Sequence, residues 1–235
     1  KSRLLIQPKD ISHNKIFEKY FPLFFINKSK QYYNSTQLNR ILLDIKEFAK
    51  LISLKKTNMS KEQIKGLFGE LLFFREKLNS DEYTYFDVVN GWQKNGNKNN
   101  DFVFENIEYE VKTSEKLDER LVHISSEYQL YSFKGLKVFL CYKQIKSHKK
   151  GSSLDQLIQK IKDMLSKDKL AYINFNKKLL SYGYFSCKGS KNILYSEINS
   201  DIYEIDKKFP KLTVNEIPRT ISNIKYTVKL PKISK

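Results

Sequence analysis

The chain has 235 residues, of which 40% are hydrophobic and 14% aromatic, and it contains only 8 Gly and 5 Pro. This length and composition can bury one substantial core, which excludes a disulfide-stapled miniprotein and a disordered tail. The formal net charge of +17 favours a polyanionic partner such as nucleic acid. No apolar run approaches the roughly 20 residues of a membrane-spanning helix, and the 2 Cys form no metal or disulfide pattern. We therefore expect a soluble, cytoplasmic protein with no membrane partner.

Three stretches are predicted to be helices. Ser60 with Gln63, and Ser153 with Gln156, form capping boxes ahead of apolar residues at helical spacing. A further helix is predicted over 36–54 from the spacing of its apolar residues alone.

Elsewhere the apolar period changes to two, which is typical of strands. The predicted strands are 83–89, 101–105, 107–113, 121–125 and 136–142, followed by weaker ones at 182–187, 202–205 and 224–230. Turn-forming residues fill 89–101, which predicts an exposed loop that delivers Asp101 to the start of a strand. Glu105 and Asn106 predict a tight reversal between the second and third strands. This order of elements indicates a layered α/β or α+β fold.

The hairpin that follows Asp101 carries the candidate chemistry. In a strand of period two, Glu110 and Lys112 project from one face and their neighbours from the other. If Asp101 begins the antiparallel partner strand, its carboxylate lies beside Glu110, and two adjacent carboxylates repel unless a cation lies between them. Oxygen ligands with open water positions suit Mg²⁺. Lys112 could then orient, or help to deprotonate, the water that attacks a phosphodiester.

Each of these residues also has a purely structural interpretation. Asp101 could cap a turn, and Glu110 with Lys112 could be a solvated ion pair worth under ~1 kcal/mol. A lone His123 is poor evidence for zinc, and we predict that it supports the site from a neighbouring strand. Trp92 could pack on the edge of the core or stack on a base.

Glu70 is ambiguous because it lies at the margin of the apolar stripe of its helix. Such residues are usually only partly buried, without a functional role. However, Gly66 and Gly69 each cost a helix interior roughly 1 kcal/mol relative to Ala. Their presence predicts that another part of the molecule approaches the helix backbone closely beside Glu70. Such an approach favours a site there.

Asp101 with Glu110-Val111-Lys112 resembles the motif of the PD-(D/E)XK nuclease superfamily. Three further stretches are similar to a bacterial family usually labelled "PD-(D/E)XK motif protein", a candidate restriction-type nuclease found near defence genes. They are Gly66-Leu67-Phe68-Gly69-Glu70-Leu71-Leu72, Gly91-Trp92 ahead of Asn100-Asp101, and residues 123–130. The departure is Asn100, which stands where the superfamily motif often has Pro. The resemblance spans about 66–230 and implies an α/β, restriction-endonuclease-like core, a mixed central β-sheet flanked by helices, with extra C-terminal strands.

The resemblance also implies roles for particular residues. Asp101, Glu110 and the backbone carbonyl of Val111 would hold Mg²⁺, for which Mn²⁺ can substitute. Lys112 would be the catalytic lysine, and Glu70 would reach a second metal ion or its water. Gln129 would offer a polar side chain toward the site.

The basic residues are unevenly distributed. Residues 134–191 hold 14 Lys and three acidic residues, whereas 101–119 hold seven acidic residues and two Lys. We predict that the basic segment neutralises DNA phosphates, with contacts from Lys134, Lys137, Lys143, Lys146, Lys149, Lys150 and Trp92. The alternative is a Lys-rich composition typical of AT-rich genomes, with solvated lysines.

These observations predict a Mg²⁺-dependent endodeoxyribonuclease of restriction type that cleaves duplex DNA in bacterial antiphage defence. It would act as a homodimer or with other defence-system subunits. One alternative is a nucleic-acid-binding subunit that does not cleave, and another is a structure-selective DNA or RNA repair nuclease. The predicted domains are an N-terminal helical segment over 1–59, a candidate remnant of a longer N-terminal region, and a nuclease-like domain over 60–235.

Overall fold

The computed structural model describes 59–93, 100–116, 119–131, 135–184, 193–212, 214–218 and 220–231, with scattered positions between 17 and 49. The chain forms two compact units. The N-terminal unit comprises 1–58 and 169–187, and the sheet unit comprises 59–168 and 188–235. The predicted domain division differs from these units in where it assigns 169–187.

The described part of the sheet unit contains three α-helices. They are α1 (Lys61–Asn79), α2 (Tyr85–Gly91) and α3 (Leu154–Leu165). Both predicted capping boxes are present, since Ser60 and Ser153 each accept a hydrogen bond from the backbone of the residue three positions later. The predictions for α1 and α3 are therefore confirmed. Within the described residues of either unit, no helix has the length and apolar content to cross a bilayer.

The strands of the sheet unit form two sheets. The strands are β1 (Phe102–Phe104), β2 (Ile107–Ser114), β3 (Leu121–Ile124), β4 (Lys137–Ser152), β5 (Tyr195–Glu204) and β6 (Tyr226–Lys229). The main sheet has the order β1-β2-β4-β5, in which β2 and β4 are parallel and the other two pairs antiparallel. The small sheet pairs β3 with β6 in antiparallel orientation. The predicted α/β fold with a mixed sheet and additional C-terminal strands is confirmed.

The two faces of the main sheet are covered by different elements. On one face α1 packs on the first hairpin, with the ring of Phe73 centred 4.9 Å from Phe102 and 5.0 Å from Tyr109. On the other face Leu140 and Tyr142 of β4 belong to a buried cluster with residues from both strands of the small sheet. Thus α1 covers one face of the main sheet at β1 and β2, and the small sheet packs on the other face at β4 and β5.

The close approach predicted from the glycines of α1 occurs at one of them. A Cβ atom on Gly69 would fall 1.8 Å from Thr113 Oγ1, whereas no atom lies within 4 Å of a Cβ on Gly66. Gly69→Ala should therefore lower the free energy of unfolding by about 1–3 kcal/mol through overpacking. Gly66→Ala, the same change on the same helix, should raise it by up to ~1 kcal/mol. Urea unfolding of both variants tests this, and two equal shifts would contradict the close packing at Gly69.

The described part of the N-terminal unit is helical. All described positions between 36 and 49 are helical, in agreement with the helix predicted over 36–54, of which 50–54 lie outside the described residues. The rings of Phe17, Phe21 and Phe48 cluster, with centroids 4.3 to 5.9 Å apart. Helix α4 (Lys169–Ser181), which sequence reasoning did not assign, belongs to the same unit.

Three other predictions of local structure are wrong. Residues 85–91 form α2 rather than a strand, because Thr84 and Asp87 make a capping box that outweighs the strand propensity of the aromatic and β-branched residues. The strand predicted over 182–187 begins as a turn after α4, and 185–187 lie outside the described residues. The connection over 89–101 is not exposed throughout, since Trp92 and Asn100 are buried, while 94–99 lie outside the described residues.

Candidate active site

The hairpin of β1 and β2 brings two carboxylates together. Phe102 pairs with Tyr109, so the preceding residue, Asp101, lies opposite Glu110. The chain reverses at Glu105, which has a φ of 40°. Asp101 Oδ2 accepts a hydrogen bond of 2.8 Å from the backbone N–H of Val111 on the neighbouring strand. Asp101 therefore bonds across the hairpin and is not a local turn cap.

Lys112 is held beside Glu110 by two acceptors. Its Nζ lies 2.8 Å from Glu110 Oε1 and donates to Gln129 Oε1 at 3.1 Å. The same Gln129 oxygen accepts hydrogen bonds from the backbone N–H and the hydroxyl of Ser125, at 2.9 and 3.2 Å. The side chains of Glu110 and Lys112 are only 3% and 17% exposed, which rules out the solvated ion pair considered as an alternative.

Burial makes ionisation of both carboxyls unfavourable. It raises the pKa of Glu110 to about 8, with the negative charge of Asp101 adding to the effect and Lys112 opposing it. It also raises the pKa of Asp101 to about 6, against the Val111 hydrogen bond and the charge of Lys112. The surroundings of the two carboxylates thus hold too little positive charge, since one lysine does not offset the desolvation of both.

These donors fit a hard divalent cation. Glu110 Oε2 is buried and has no hydrogen-bond partner, although its twin oxygen is paired with Lys112. Among the described residues, no group of three or more His, Cys, Asp or Glu side chains could hold a metal ion. A cation here would be held by two carboxylates and a backbone carbonyl, and Mg²⁺ commonly combines one or two carboxylates with several waters.

The described hydrogen bond of Glu70 is to the segment that precedes Asp101. Glu70 is on α1, which covers the Tyr109 face of the sheet, whereas Glu110 and Lys112 are on the opposite face. Its Oε2 accepts a hydrogen bond of 2.8 Å from Trp92 Nε1. The role of Glu70 as a metal ligand therefore stays a prediction.

The prediction that Trp92 contacts DNA is wrong. Its side chain is completely buried, and its ring packs edge-on against Phe74 at 5.4 Å. The residue also bridges to Phe102, and the next backbone N–H, of Gln93, donates to the carbonyl of Asp101 at 2.7 Å. Trp92 thus anchors the segment that flanks Asp101.

Asn100 and Glu108 form an anchor that sequence reasoning missed. Asn100 Nδ2 donates to Glu108 Oε2 at 2.7 Å, and both side chains are buried. The expectation from position alone is a solvated Glu108 near the turn. The available sequence signal for this anchor was Asn100, which stands where the superfamily motif often has Pro. Its side chain fixes the chain directly before Asp101.

The predicted DNA-binding lysines divide into three groups. Lys143 is wrong as a DNA contact, because its side chain is 1% exposed and its Nζ contacts Glu76, Glu197 and Ser200. Lys134 lies outside the described residues. The remaining lysines are exposed on β4, where a DNA contact stays a prediction: Lys137, Lys146, Lys149 and Lys150.

His123 lies on the exposed side of β3. Its Nδ1 is 3.4 Å from Thr227 Oγ1 on β6. Together with Lys112, it lines an open cleft of about 560 Å³ at the end of β2. Its predicted supporting role is therefore compatible with its place, since Lys112 opens onto the same cleft.

The mixed sheet and the Asp101, Glu110 and Lys112 hairpin define an α/β protein of the PD-(D/E)XK type, whose members typically use divalent metal ions. The sequence profile of the family described as "Putative PD-(D/E)XK family member (DUF4420)" matches residues 1–231. The chain belongs to this family. No curated protein and no solved structure matches the chain.

Proposed function

We propose that this chain is a Mg²⁺-dependent nuclease that hydrolyses DNA phosphodiester bonds with Asp101, Glu110 and Lys112. The observation that carries the proposal is the buried, unpartnered Oε2 of Glu110, next to the partly buried carboxylate of Asp101. A structural ion pair needs neither feature. Both cost stability, and such costs are common where a site is built to bind a cation.

The residues that would hold Mg²⁺ are Asp101, Glu110 and the carbonyl of Val111. When bound, the ion would lower the pKa of a water molecule and stabilise negative charge on the phosphate. Glu110 is buried and Asp101 is partly buried, which limits the access of bulk water to their oxygens.

Lys112 supplies the positive charge that the chain itself brings to the reaction. Because its Nζ is fixed between Glu110 Oε1 and Gln129 Oε1, the ammonium can orient the attacking water and stabilise the charge that develops on the phosphate. Gln129 keeps the amine in place independently of the carboxylate, since Ser125 holds its oxygen from the other side.

The proposed substrate and biological role rest on family membership and charge and not on the geometry of the site. Membership in the PD-(D/E)XK family and the net charge of +17 support duplex DNA as the substrate, and the sequence resemblance supports a restriction-type role in antiphage defence. A homodimer, or assembly with other defence subunits, would allow a chain with one site to cut both strands.

The proposal is tested by incubating the purified chain with phage and plasmid DNA in Mg²⁺, in Mn²⁺ and in EDTA. We expect cleavage with either metal, none in EDTA, and none by Asp101→Asn, which keeps the side-chain size but removes the charge. Cleavage restricted to branched DNA or RNA would instead favour a repair nuclease. Binding without cleavage under all conditions would overturn the enzymatic proposal in favour of a scaffold subunit.

A further inference from the structure

An open cleft of about 560 Å³ lies next to the candidate active site. It is formed by the last residues of β2, the segment that follows them, the start of β3 and part of β6, with Lys65 contributed by α1. Lys112 lines the cleft, so the cleft adjoins the candidate active site.

The lining is rich in hydrogen-bond donors and positive charge. It includes three lysines, a histidine and a serine: Lys65, Lys112, Lys116, His123 and Ser114. Lys116 is 67% exposed at its side chain, with its Nζ 3.0 Å from Glu119 Oε2, and Lys65 is 26% exposed, so both side chains are open to solvent.

We propose that this cleft binds the sugar-phosphate backbone of the nucleic-acid strand that reaches Lys112, through Lys65, Lys116 and His123. This inference rests on the proposed function, since it assigns the surface along which that substrate enters the site. It places the nearest phosphate contacts at the end of β2, outside the basic segment over 134–191.

The lining favours contacts with the backbone over contacts with bases. Of the described residues that line the cleft, none is Phe, Tyr or Trp, and proteins that hold bases in a single-strand groove use such rings for stacking. Ammonium and hydroxyl groups contact phosphate oxygens, which position a strand but carry no sequence information. Binding in the cleft is therefore independent of sequence, and any base recognition occurs elsewhere.

One acidic residue in the lining tunes this surface. Glu115 Oε2 lies 3.5 Å from Lys61 Nζ and 4.0 Å from Lys65 Nζ, and its side chain is 24% exposed. The carboxylate thus competes with a phosphate for Lys65. Removing its charge should strengthen nucleic-acid binding, in the opposite direction to removal of a lysine.

The test measures binding of the full chain to fluorescent DNA oligonucleotides of several sequences in EDTA, over a series of KCl concentrations. Lys65→Ala and Lys116→Ala should each weaken binding equally for all sequences and reduce the slope of log affinity against log salt by about 1. Glu115→Gln should tighten binding. Because cleavage is not required, a failure of the nuclease proposal and a failure of the cleft proposal are distinguishable.

The matched control is Lys207→Ala. Lys207 is exposed beyond the end of β5, near the start of β4 and at the opposite end of the main sheet from Ser114. Its loss should leave the slope unchanged. Near-ultraviolet circular dichroism of each variant verifies that the fold is kept. Equal losses for all three lysine variants, a loss that depends on sequence, or no loss at Lys65 and Lys116 would each overturn the proposal.

Discussion

Lys112→Ala is expected to lower the rate of Mg²⁺-dependent DNA cleavage by about 10²–10⁴-fold, the range typical of a positioned group that assists proton transfer. The ammonium is fixed by contacts of 2.8 and 3.1 Å, so its loss removes a preorganised charge rather than a mobile one. Binding of DNA in EDTA should weaken only modestly, since the other donors of the cleft remain. Single-turnover cleavage rates and anisotropy titrations measure the two effects separately.

Two controls make this result interpretable. Lys207→Ala removes an equal charge from a distant exposed position and should leave the cleavage rate unchanged. Urea unfolding of Lys112→Ala reports whether the fold survives, because the substitution leaves the buried Glu110 carboxylate without its cation. A folded Lys112→Ala protein that cleaves at the parental rate would remove Lys112 from the chemistry.

Glu110→Gln is expected to remove one contribution to the loss of stability that the metal-free parent shows as pH rises. The contribution of Asp101, whose pKa is raised to about 6, remains. The folded pKa of Glu110 is raised to about 8 by burial and by Asp101, whereas an unfolded Glu titrates near ~4.3. Between these values the folded chain binds more protons than the unfolded chain, so this group lowers the free energy of unfolding as pH increases. The slope from one such group reaches about 1.4 kcal/mol per pH unit.

Gln cannot ionise, so the variant lacks this slope. Urea unfolding in EDTA across the range should give diverging curves for parent and Glu110→Gln, with the variant relatively more stable at the alkaline end. Glu105→Gln, an exposed acid in the turn of the same hairpin, controls for the change in net charge. Added Mg²⁺ should stabilise the parent at high pH but not Glu110→Gln, since only a protein that binds the ion gains from mass action. Parallel stability curves for parent and Glu110→Gln would refute the buried-carboxylate account.

The elements that sequence could predict are those with local signals. The alternation of β2 requires only neighbouring residues, and it correctly placed Glu110 and Lys112 on one face. The capping boxes of α1 and α3 are likewise local. Helix α2 has the same kind of signal at Thr84 and Asp87, but with Asp where Glu or Gln is usual, and the strand propensity of the flanking residues obscured it.

The features that sequence could not predict depend on distant partners. Lys143 is buried because Glu76 and Glu197, far away in the chain, supply its counter-charges. Trp92 is buried because Glu70 accepts its indole N–H. No local pattern reveals such pairs, so sequence alone predicts an exposed Lys143 and leaves Trp92 open between packing on the core and stacking on a base.

In the proposed site Asp101 and Glu110 hold a divalent ion beside Lys112. Crystals of the full chain soaked in Mn²⁺, with diffraction measured at the manganese absorption edge, locate such an ion independently of cleavage. We expect one anomalous peak in contact with both carboxylates, absent from crystals of Asp101→Asn. Fully soaked crystals with both carboxylates ordered and no peak between them would refute the metal site.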